Sequence, residues 1–161
     1  MNHTLKSLAF VLAIFCFHSN ANAESNPHQF IDSQAQEMVS IIRNNQALYA
    51  SDPELFKDKI NAVFEPMVDF RRVGASVMGK KYYLAASKSQ RLQFIQSFKA
   101  SLLDTYSSTL AQWGDQKIVT IFPEVSELKT TEDVQQNLIT SSNIYPITYQ
   151  VRKDKRGTWL I

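Results

Sequence analysis

Residues 87–122, SKSQRLQFIQSFKASLLDTYSSTLAQWGDQKIVTIF, contain the change of period on which the fold turns. From Leu92 the apolar positions Ile95, Phe98, Leu102, Leu103, Tyr106, Leu110 and Trp113 recur mostly every three or four residues. That is the spacing of one helix face. Ser87 or Ser89 supplies a cap, and Gly114-Asp115 supplies the stop. Lys117–Phe122 (KIVTIF) is then β-branched and short, which predicts a strand. Helices precede this point and strands follow it.

Upstream, apolar Phe30, Ile31, Met38, Val39, Ile42 and Tyr49 predict an amphipathic helix from Pro27 to Tyr49. Ser51-Asp52-Pro53-Glu54 combines a cap, a first-turn proline and an acid at the positive helix end. It starts a second helix through Leu55, Phe56, Ile60, Val63 and Phe64 that Pro66 is expected to end. Asp69 is placed to cap a short third helix, Phe70 to Met78, closed by Gly79. Downstream, Val134–Thr140 and Ile147–Arg152 read as strands. Residues 153–157 form a turn, and Thr158–Ile161 begins a returning strand. Helices followed by an antiparallel meander imply an α+β domain, with the helices packed on one face of a curved sheet.

The N-terminus reads differently. Lys6 precedes the unbroken apolar run Leu8–Phe17, and Ala21 and Ala23 form an A-x-A site. This is the pattern of a cleaved export signal over residues 1–23, leaving a single domain over 24–161. The run is about half the ~20 residues needed to span a bilayer. Cys16 follows Phe15, which is not the small residue a lipoprotein site needs.

Removal of that leader takes away the only cysteine and leaves His28 as the sole histidine. Cysteine–histidine dyads, redox pairs and histidine-rich metal sites are thereby excluded from the mature domain, and no disulfide can brace it. The formal net charge of +2 gives no reason to expect a nucleic-acid partner. The pairs Glu124/Glu127 and Glu132/Asp133 read as surface acids. Lys and Arg at 152, 153, 155 and 156 read as a solvated hairpin. For Arg71, Lys80 and Lys81 two readings stand side by side, a solvated helix face and phosphate contact at a pocket mouth.

Apolar residues lie on more than one side of the long helix, wider than one sheet contact requires. Periodicity alone allows either a filled core or a hollow apolar interior. Three functions remain open: a carrier of apolar ligands, a small pocket enzyme using Asp69 or Asp104 as base, and a solid-core periplasmic adaptor or chaperone.

The run Val68-Asp69-Phe70-Arg71-Arg72-Val73, then Val77-Met78-Gly79-Lys80, Gln90-Arg91, Phe94, Phe98, Leu102-Leu103, Thr105-Tyr106 and Leu110, resembles the MlaC family. These are periplasmic phospholipid-binding proteins, also called toluene-tolerance auxiliary proteins. The segment Lys81–Ala86 is slightly longer than the family's usual spacing. The family also continues beyond the tryptophan strand, so the chain is expected to be truncated at its C-terminus. The resemblance implies an NTF2-like arrangement enclosing an apolar pocket, in a periplasmic monomer without catalytic residues, metal or cofactor. It implies a phospholipid shuttle between an outer-membrane lipoprotein complex and an inner-membrane ABC transporter with an MCE subunit, serving outer-membrane lipid asymmetry. Within the matched motif, Val73, Val77, Met78, Phe94, Phe98, Leu102 and Tyr106 are the expected lining. Alternation alone adds Ile121, Ile147 and Tyr149 from the strands.

Overall fold

The computed structural model describes residues 26–124 and 127–161. The leader expected over residues 1–23 lies outside them. Four helices come first: α1 (Pro27–Ser51), α2 (Pro53–Met67), α3 (Phe70–Ala85) and α4 (Lys88–Leu110). Strands β1 (Lys117–Ile121), β2 (Thr131–Ile139), β3 (Ile144–Lys153) and β4 (Trp159–Leu160) follow. They form one antiparallel sheet in the order β1-β2-β3-β4. The helices-then-meander order is the α+β class expected from the sequence.

Each helix starts where a short polar side chain can accept a hydrogen bond from an otherwise orphaned backbone N–H. The Asn26 carboxamide accepts from His28 N at 2.8 Å, and Asp52 from Leu55 N at 3.0 Å. Asp69 accepts from Arg72 N at 3.0 Å. Ser87 and Gln90 form a reciprocal capping box, with bonds of 3.2 and 2.8 Å.

Four boundaries differ from expectation. Pro66 lies inside the last turn of α2, which closes only after Met67, where Val68 N donates to Phe64 O. A proline that late disturbs little of the helix ahead of it. Gly79 does not end α3 but turns it: at φ 75°, ψ 152° it links two helical pieces, and the second runs to Ala85. That backbone region is open essentially to glycine alone. The strands β2 and β3 begin three residues earlier than their apolar cores, because they pair with each other along their whole length. Pro146 is tolerated in β3 because β4 pairs only with Arg152 and Lys153, which leaves the Pro146 end as a local edge.

The core lies between α1, α2 and the sheet. Ile31 and Ile42 of α1, Phe56, Ile60 and Val63 of α2, Val134 of β2, Val151 of β3 and Trp159 of β4 are buried together. Each fully buried side chain of this size contributes about 1.5–3 kcal/mol relative to exposure. One polar thread crosses this layer. The Gln136 amide donates to Thr120 Oγ1 at 2.8 Å, and the Thr120 hydroxyl donates to Asp32 Oδ1 at 2.7 Å. Gln136 and Thr120 are buried, so their mutual satisfaction fixes how α1 lies across β1 and β2.

Candidate functional site

Helices α3 and α4 form a hairpin that packs chiefly on itself and, near its base, on α2. Where they meet, Gly74 faces Ile95. A Cβ at Gly74 would lie 3.0 Å from Ile95 Cγ1, so a larger residue there would require the Ile95 side chain to shift by a few tenths of an ångström. Further along, Gly79 redirects the second piece of α3, and the two helices border an open groove of about 540 Å³. Met78, Tyr82, Ala85 and Ala86 line it from α3 and the turn, and Gln90, Gln93, Phe94 and Ser97 from α4. A second depression of about 230 Å³ follows along α4, lined by Phe98, Ser101, Leu102, Thr105 and Tyr106.

Phe94, Phe98, Leu102 and Tyr106 are four residues apart, which puts them on one helix face. The Phe94 and Phe98 rings join the two depressions: their centroids are 6.3 Å apart and their planes 6° from parallel. At the lower end, Tyr106 meets Phe64 of α2 at 5.9 Å. Tyr106 also neighbours Tyr149 of β3. Burial, with a smaller contribution from Tyr106, holds the Tyr149 hydroxyl above its ordinary pKa. The apolar stripe of α4 therefore ends against the sheet.

Of the residues expected to line a pocket, the structure brings Met78, Phe94, Phe98, Leu102 and Tyr106 to this stripe. Val73 is half-buried, and Val77 stands 57% exposed outside both depressions. Ile147 and Tyr149 share the inner sheet face, because their partners Gln136 and Val134 are buried there. Ile121 does not join them. It pairs with Gln135, which pairs with Thr148, on the opposite face, and it is 43% exposed. Lys80 and Lys81 are exposed beside Tyr82, with Lys81 Nζ 5.6 Å from that ring. Arg71 lies in the first piece of α3, about 12 Å of helix axis before the Gly79 turn at 1.5 Å per residue.

Sequence reasoning missed Tyr82, Ala85, Ala86, Gln90 and Gln93. The available signal was a pair of alanines after a two-tyrosine step: small side chains leave room, and aromatic ones wall it.

The two acids considered as bases are otherwise engaged. Asp69 caps α3 and pairs with Arg152. Asp104 is exposed and accepts from the Lys57 ammonium at 2.9 Å; the carboxylates of Glu54 and then Asp104, both accepting from Lys57, push its pKa up. Neither acid lines the depressions. Among the described residues, no three His, Cys, Asp or Glu side chains are grouped to hold a metal ion, and no helix is long and apolar enough to cross a membrane.

The family model for the MlaC protein matches residues 32–161. The chain belongs to the MlaC family. Among MlaC-type relatives, the toluene tolerance protein ttg2D of Pseudomonas putida is 28% identical over 141 residues, covering 86% of this chain and 64% of that protein. The intermembrane phospholipid transport system binding protein MlaC of Haemophilus influenzae is 27% identical, covering 96% of this chain and 73% of that protein. The chain thus spans roughly two thirds to three quarters of the length of these relatives. A phospholipid-binding protein from Ralstonia solanacearum, solved in complex with a phospholipid, shares the fold. Its TM-score is 0.75 at 18% identity, covering 84% of this chain and 75% of that one. The resemblance read from Val68–Trp113 is thereby confirmed at the level of family and fold.

Proposed function

We infer that this chain is a non-enzymatic phospholipid carrier of the periplasm, and that acyl chains lie along the Phe94–Tyr106 stripe. One observation carries the reading: Phe94, Phe98, Leu102 and Tyr106 form an apolar row bordered by open space instead of core. Each methylene kept from water is worth ~0.8 kcal/mol, so two unprotected acyl chains cost on the order of 20 kcal/mol in transit. A carrier needs only to replace that water with apolar side chains. The larger groove, at about 540 Å³, falls within the ~300–1,000 Å³ range of ligand clefts. Met78 and Tyr82 supply its α3 wall. Lys80 and Lys81 stand beside Tyr82, where a phosphate would meet ammonium donors. Ile147 and Tyr149 extend the apolar surface onto the sheet.

Family membership and the names of the relatives support a shuttle between membranes. In this reading the chain, as a monomer, takes lipid from or gives it to an outer-membrane lipoprotein complex and an inner-membrane ABC transporter with an MCE subunit. Solvent extraction of the purified protein followed by mass spectrometry tests the core of the reading. Diacyl phospholipid is the expected finding, at a reduced amount in a Phe94→Ser/Phe98→Ser variant. Protein that carries no lipid and takes none from vesicles would instead fit an adaptor with a solid core.

A further inference from the structure

The charge of this chain is not evenly spread. Between Phe70 and Leu103 lie seven Lys or Arg residues and no Asp or Glu, while the rest of the chain holds the other ten basic residues and all fifteen acids. The hairpin is thus strongly cationic, and the remainder is net acidic. Five of the seven cations, Arg71, Arg72, Lys80, Lys81 and Lys88, are exposed. Lys99, near the base, is already paired with Glu65.

The tip of the hairpin, residues 80–92, adds a second feature. Tyr82, Leu84 and Leu92 are 66%, 65% and 53% exposed there, among Lys80, Lys81 and Lys88. Tyr82 walls the groove, but Leu84 and Leu92 belong to neither the groove lining nor the buried core. Cations interleaved with exposed aliphatic and aromatic residues, with no acid among them, match the requirements of an anionic bilayer surface. Ammonium groups meet lipid phosphates, while Tyr and Leu enter the headgroup layer.

We propose that the α3–α4 hairpin tip docks directly on anionic phospholipid membranes. This goes beyond the carrier reading, which concerns what lies in the groove. Met78, Tyr82 and Phe94 open the groove at this same tip, so a docked hairpin presents the groove mouth to the headgroups. An acidic protein surface is the competing occupant. Lipid is favoured because the exposed apolar residues are scattered among the charges instead of gathered into one complementary patch.

Cosedimentation of the purified protein with vesicles tests this. Vesicles of equimolar phosphatidylglycerol and phosphatidylcholine are expected to bind it, pure phosphatidylcholine vesicles far less, and raised salt is expected to release it. Lys88→Gln, at an exposed position of the tip outside the groove, is expected to weaken binding about 5-fold, the loss for one cation neutralised near the surface. Lys88→Arg is expected to retain it. Leu84→Ser is expected to weaken binding to anionic vesicles without removing its salt dependence. Equal binding to both vesicle types, or binding insensitive to salt and to Lys88→Gln, would overturn the proposal. So would salt-sensitive binding to an acidic protein partner without binding to vesicles. The lipid content of the same preparations, read by mass spectrometry, reports separately on the carrier reading. Protein that carries lipid but ignores anionic vesicles refutes only the docking.

Discussion

Helices α1 and α2 and helices α3 and α4 are both amphipathic pairs, but they spend their apolar faces differently. In α2, four of 15 residues are buried, all of them apolar, and in α4 only two of 23. The first pair closes on the sheet around Phe56, Ile60 and Trp159. The second leaves Phe94, Phe98, Leu102 and Tyr106 along open space. The difference teaches that amphipathicity fixes which face is apolar but not what covers it. In the first pair the cover is the protein itself; in the second, on the carrier reading proposed above, it is the ligand.

That contrast gives an ordered set of expectations. Phe56→Ala empties a fully buried site and should lower unfolding free energy by about 3–5 kcal/mol in urea denaturation. Any lipid lost from the surviving folded protein beyond that effect would blur the division between the halves. Gly79→Ala forces a side chain onto φ 75°, ψ 152° and should cost about 1–3 kcal/mol. No neighbour lies within 4 Å of the added Cβ, so the cost is backbone strain alone. Because the groove wall follows this residue, bound lipid should fall in step. Phe98→Ala, at a half-buried position, should cost about 1 kcal/mol in stability. It should nevertheless reduce copurifying lipid more than Phe56→Ala does in folded material. The smallest effect concerns Tyr149, where the two halves meet. Its pKa in the folded protein is raised above the ordinary 10.0, so its contribution to stability is complete below pH 10 and is lost as pH rises through the raised value. Tyr149→Phe should remove that alkaline loss, as measured by thermal melts across the pH range.

Much of the fold was legible because short-range chemistry set it. Asn26, Asp52, Asp69 and Ser87 each cap a helix, and three of those four were readable as start signals. Gly79 was read as an end because a left-handed glycine usually closes a helix, and nothing local announced that a second piece would follow. The α4 stripe was legible for a similar reason: four residues at fixed spacing need no tertiary information. Its other wall was not, since Tyr82, Ala85 and Ala86 reach the groove only after the Gly79 turn. Ile121 failed because alternation gives two faces without saying which one looks inward. Register settles that, through the pairing of Thr120 with Gln136 and of Ile121 with Gln135.

The junction between α2 and α3 is tied to the far edge of the sheet. Ile161 N donates to Met67 O at 2.9 Å, Asp69 N donates to Ile161 O at 3.0 Å, and Asp69 is paired with Arg152 of β3. The root of the hairpin is therefore clamped like a cantilever, while its outer end makes, among the described residues, no comparable hydrogen bond to the sheet. Any tug on strand β4 or on Arg152 is delivered first to the corner where α3 begins. A load applied at the outer end is borne along α3 and α4, and the sheet need not shear to accommodate it.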